Sequence, residues 1–172
     1  MRRTITIVAV LAVVLAASPH SPLAQSSPVT GRDALARALQ GAWMPLENGF
    51  AVSSTQGTPI SGKYEIDDGM FQLSVYTFKA DAFMEVIVDY NTGTVIRAEA
   101  ITDGRDLAAT QSQRAAIAAA QRSLGEATAR AAKSHAGYRA VSAPPSLVGG
   151  RPVVEVILLN GSDWKVVSEP LD

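Results

Sequence analysis

Sliding the sequence against itself by 81 positions lays Leu73, Val75 and Phe83 on Val154, Val156 and Trp164, and lays Lys79-Ala80-Asp81-Ala82 on Asn160-Gly161-Ser162-Asp163. Hydrophobic alternation and turn chemistry coincide under one shift, and the face of each strand is preserved. The same shift carries residues 34–39 onto residues 115–120, so each half reads as a helix followed by antiparallel strands. The correspondence is architectural, with few identities, and the second half stops before any counterpart of residues 94–100. A chain of 172 residues patterned this way is constrained to an α+β fold of two helix-plus-antiparallel-sheet units in tandem, residues 31–101 and 106–172.

Local signals predict the elements. Asp33 caps a short helix that ends near Gly41, and Pro45, Asn48 and Gly49 mark a turn before strands at 50–54 and 60–66. Asp67-Asp68-Gly69 is a hairpin signal, because Asp-Gly accepts the positive φ of a tight turn. Residues 70–78 alternate with Phe71, Leu73 and Val75 on one side, 83–89 form the next strand, and 90–93 turn into a return strand over 94–100. Residues 102–105 are a polar junction. From 106 to about 135 the chain predicts one long helix with a narrow stripe of Ile117, Leu124 and Ala131, weakened at Gly125 and ended by Gly137. Strands at 138–143, 152–159 and 164–168 follow, broken at Pro144-Pro145, Gly149-Gly150 and residues 160–163. Neither half is large enough to be stable alone without a disulfide, so the extended stripe is expected to serve both, giving one cooperative unit.

Residues 1–26 read as a secretory signal peptide: Arg2 and Arg3, an apolar run over 5–17, then a small-residue and proline stretch. That run is shorter than the roughly 20 residues a spanning helix needs, so cleavage before Ser27 is expected, with a periplasmic or secreted product and no stable membrane span. Removal of Arg2 and Arg3 leaves 13 basic against 16 acidic side chains, a balance that gives nucleic acid no electrostatic footing. Hydrophobic residues at 47% suffice for a core, while the absence of cysteine removes disulfides, thiolate nucleophiles and cysteine-ligated metals together.

Asp89-x-Asn91-x-Gly93 opens like a calcium loop, but the bidentate acid due at its twelfth position falls on Ala100, and a hairpin explains the same residues. Glu65, Asp67 and Asp68 cluster at a strand end, as acids at Asp-Gly turns do. His135, the one histidine left after processing, stands near a helix end, where its charge complements the dipole. No Gly-x-Ser-x-Gly elbow is present, and Gly149-Gly150 precedes a strand rather than the helix a phosphate loop needs. Trp43, Trp164, Tyr76, Phe78 and Tyr138 could form an aromatic patch, with core anchoring the default for most of them. No residue is therefore assigned a catalytic, cofactor-binding or metal-binding role.

Gly62-Lys63-Tyr64-Glu65-Ile66, a hairpin and long alternating strand, and then residues 85–96 with Val88-Asp89 running into Thr92-Gly93-Thr94-Val95, resemble the PepSY domain. The resemblance covers residues 31–101, and 113–172 look like a more divergent copy without the aspartate-to-threonine–glycine ending. It implies a helix against a curved antiparallel sheet, an extracytoplasmic location, and binding, modulation or inhibition of peptidases or contact with another envelope protein; it supplies no catalytic residues. An exported, non-enzymatic binding or regulatory protein is the expectation. An extracytoplasmic carrier of a small apolar ligand and a small hydrolase are the competing readings.

Overall fold

A computed structural model describes residues 31–102 and 104–172. The signal-peptide reading of residues 1–26 lies outside the described residues. The chain runs α1 (Gly31–Leu39), α2 (Leu46–Ser53), β1 (Thr58–Asp67), β2 (Met70–Lys79), β3 (Ala82–Val88), β4 (Val95–Ile101), α3 (Gly104–Ala118), α4 (Leu124–Lys133), β5 (Arg139–Ser142), β6 (Pro145–Val148), β7 (Arg151–Asn160) and β8 (Asp163–Pro170). Among the described residues this is an α+β fold with four helices and one eight-stranded antiparallel sheet. No described helix is long and apolar enough to cross a membrane.

β1 to β4 form a meander, and β1 then meets β5. β5 and β6 lie one after the other along one edge of β7, interrupted at Ala143-Pro144, and β8 takes the other edge. Element starts recur under the shift seen in the sequence, which carries Thr58 onto Arg139, Met70 onto Arg151 and Ala82 onto Asp163. The turns match in part, since Ser162, which answers to the left-handed Asp81, does not have a positive φ. Asp68 and Gly69 have φ of 46° and 77°, their counterparts Gly149 and Gly150 have 60° and 81°, and Ala80 at 49° answers to Gly161 at 60°. Within the sheet, the seam between the halves is narrow, consisting of the bridge Lys63↔Ser142 and a 3.0 Å hydrogen bond from Ala143 N to Gly62 O. Gly62 and Ala143 are themselves related by that shift.

Period-2 alternation sends Leu73, Val75, Val86, Val88, Val154, Val156 and Leu158 to one face, where they pack with Leu46 and Phe50 of α2 and Leu124, Ala127 and Ala131 of α4. This core draws on both halves, as their small size requires. α3 covers part of the other face, where Leu107 and Ile117 meet Ile60, Tyr76 and Phe83, and the Arg114 guanidinium lies 3.7 Å from the Phe78 ring centroid.

Four local expectations are corrected. Residues 50–54 belong to helix α2 and its C-terminal cap, not to a strand, and Asn48-Gly49 lie inside that helix rather than in a turn. Gly49 serves close packing: a Cβ there would stand 2.9 Å from Leu73 Cδ2. The long helix over 106–135 is two helices. Ser123 caps α4, its hydroxyl accepting from Glu126 N at 3.2 Å while Glu126 Oε2 accepts from Ser123 N at 3.1 Å. Gln121 N and Arg122 N, freed at that corner, donate to Leu171 O at 2.7 and 2.9 Å. Asp33 lies in the first turn of α1 rather than before it.

Candidate protein-binding surface

Gly41 and Pro45 bound a short connection between α1 and α2, and its backbone is held from three sides. Arg139, the first residue of β5, donates through Nη1 to Leu39 O at 2.9 Å and Ala42 O at 2.8 Å, and through Nη2 to Met44 O at 3.0 Å. Tyr90 O accepts from Trp43 N at 3.2 Å and Met44 N at 2.9 Å, and the Tyr64 hydroxyl also donates to Met44 O. Burial pushes the Tyr64 phenol up to about 12 against the opposing charge of Arg139, so it remains a donor at neutral pH. Five hydrogen bonds from β5 and Tyr90 thus fix a backbone whose central side chain, Trp43, is 86% exposed.

Next to this connection, at the end of the sheet, Met70, Phe71, Ile87, Val88, Tyr90 and Ile96 line an apolar groove of about 280 Å³. Phe71 anchors its floor, stacked on Tyr64 at 5.6 Å between centroids and tilted against Tyr90 at 4.8 Å. Met70 and Ile96 stand exposed on its rim. An exposed indole on a fixed backbone, tied through Tyr90 to an apolar groove, suits recognition of a protein side chain.

A polar cluster occupies the outer face of β1 and β2. Lys63 Nζ is 2.6 Å from Glu65 Oε2, Ser74 donates to Glu65 Oε1 at 2.7 Å, and Ser61 donates to Gln113 of α3 at 2.7 Å beside a cleft of about 110 Å³. Burial works against the Lys63 ammonium, but its hydrogen bond with Glu65 and the nearby Tyr76 and Glu65 hold it above its ordinary value. Burial raises Tyr76 to about 12. Both groups therefore keep their protons at neutral pH, which suits structure rather than proton transfer.

The residues singled out in the sequence are dispersed. Asp89 Oδ1 accepts from Asn91 N at 2.8 Å and Thr92 N at 2.9 Å, bonds that lower its pKa and close the β3–β4 turn. Glu65 is engaged by Lys63 and Ser74, while Asp67 and Asp68 are exposed at their hairpin. His135 Nδ1 lies 2.9 Å from Ala131 O at the end of α4. Among the described residues no three His, Asp or Glu side chains gather in a metal-holding arrangement. The five aromatics do not form one patch: Tyr76 and Phe78 pack with the second core cluster under α3, Trp164 is half-buried under Arg32, Tyr138 donates to Asp163, and Trp43 faces solvent alone. Core anchoring thus fails for Trp43. Its flanking Gly41 and Pro45 were the available hint, whereas nothing near Arg139 in sequence announces the clamp.

No protein-family model, curated protein or solved structure matches this chain.

Proposed function

We propose that this chain is an exported, non-enzymatic binding protein of PepSY type, which modulates or inhibits an extracytoplasmic peptidase or regulates another envelope protein through Trp43 and the adjoining groove. The observation that carries this reading is an 86% exposed tryptophan on a clamped backbone. An indole left in water forgoes on the order of 4 kcal/mol of burial, which a partner can recover. The Arg139 clamp has already met the ordering cost of its loop, so more of that free energy becomes affinity. The turn at Asp89, where the resemblance to PepSY is closest, and the recurrence of strands and turns under a single sequence shift support a tandem of two such units.

Affinity capture from the extracytoplasmic fraction, with wild type and Trp43→Ala compared, tests the reading. Wild type recovers a peptidase or envelope protein, and Trp43→Ala recovers it at least ~10-fold less at an unchanged melting temperature, because the removed ring packs in no core. Equal recovery by the variant overturns the assignment.

A separate groove of about 560 Å³ where α2 meets the α3–α4 corner, with Phe50, Pro59, Ile117, Ala120 and Leu124 on its walls, favours the small-apolar-ligand carrier as the second reading. Added mass in native mass spectra of protein taken from its own envelope would support that reading.

A further inference from the structure

β4 is an outermost strand, and among the described residues no strand pairs with its free edge. Soluble proteins usually blunt such an edge with lysine, proline or a bulge. β8, at the opposite end, carries Lys165 and Pro170, and its Glu169 is tied to Arg130. β4 reads Val-Ile-Arg-Ala-Glu-Ala-Ile, with neither lysine nor proline, and its irregularity is confined to the start of the strand, opposite Ile87 and Val88.

The charges along that edge are arranged about one residue. Arg97 and Glu99 flank Ala98, their side chains 49% and 59% exposed and 3.5 Å apart. The register with β3 puts Glu99 directly across from Glu85, a like-charge pair that is unfavourable and draws a cation to the other side of Glu99.

We propose that the β4 edge is a homodimer contact in which two copies pair antiparallel about a two-fold axis through Ala98, joining two eight-stranded sheets into one. In this register Arg97 of each copy stands opposite Glu99 of the other, and Ile96 opposite Ala100. Shifting the axis to Arg97 or Glu99, the neighbouring registers that keep each face on its own side, sets like charges opposite one another. Charge therefore selects the Ala98 register, and the same patch serves both copies, as an isologous contact demands.

Sedimentation equilibrium of the purified protein tests this with a charge exchange. Wild type is expected to be dimeric, more weakly so at high salt. Arg97→Glu and Glu99→Arg each weaken the dimer at least ~10-fold, and the double variant Arg97→Glu/Glu99→Arg regains it, all with monomer folds intact because both side chains are exposed. A wild type monomeric up to about 100 μM, single variants as dimeric as wild type, or a double variant that stays monomeric overturns the proposal.

Discussion

Ala80 and Asp81 turn β2 into β3 with φ of 49° and 65°, a left-handed pair built without glycine. A Cβ in that region costs roughly 1–2 kcal/mol, against which glycine's greater freedom in the unfolded chain must be set. Ala80→Gly, which installs the residue found at the matching position Gly161, is expected to raise stability by up to about 1 kcal/mol, measured as the urea midpoint at constant slope. Tyr64 and Tyr76 make a second residue-scale prediction. Their pKa values rise from 10.0 to about 12 on folding, so the stability they confer is complete below pH 10 and is lost as pH climbs towards 12. Melting temperature should therefore fall steeply across that interval, more gently in Tyr64→Phe, and a flat alkaline limb would show that burial does not protect these phenols. Lys63, also raised, works in the same direction, whereas Asp89, Glu126 and Asp172 are lowered by their hydrogen bonds and weaken the fold only in acid. Little of this was legible beforehand. Hairpin chemistry is local and was visible at Asp68-Gly69, but Arg139 bonds a carbonyl 100 residues away, and no local pattern encodes such a partner.

At the scale of elements, alternation located β1 to β4, β7 and β8, but it placed a strand at 50–54 and missed β6, whose four residues lie in the stretch that Pro144-Pro145 and Gly149-Gly150 marked as broken. Helices fared worse, for opposite reasons. In α2 the breaker pair Asn48-Gly49 outweighed any helical signal, although Gly49 is there to let the helix approach Leu73. Between α3 and α4, alanine-rich composition hid a boundary that Ser123-x-x-Glu126 spells out as a capping box. Ser123→Ala is expected to destabilise the protein by about 1 kcal/mol, since it removes the hydroxyl that accepts from Glu126 N and donates to Glu126 Oε2. A loss below ~0.3 kcal/mol in chemical denaturation would mean that the Leu171 carbonyl alone holds this corner.

For the whole molecule, the α+β class and the antiparallel sheet were readable, but the β1–β5 seam was not, because pairing between distant strands leaves no local trace. The core spans that seam, and Leu171, fully buried, packs in the same cluster as Leu46 of the first half. Residues 27–104 and 105–172 expressed separately should each melt lower and less sharply than the intact chain, by calorimetry; two fragments that match it would refute the shared core. The seam itself has a further consequence. One bridge and one added hydrogen bond are all that the sheet contributes across it, so two free half-chains would depend on the shared apolar core and the Arg139 clamp to find each other. Tethering raises the effective concentration of one half around the other to the order of millimolar. Covalent continuity between the halves thus keeps their shared core assembled at any concentration, and frees the integrity of the fold from dilution.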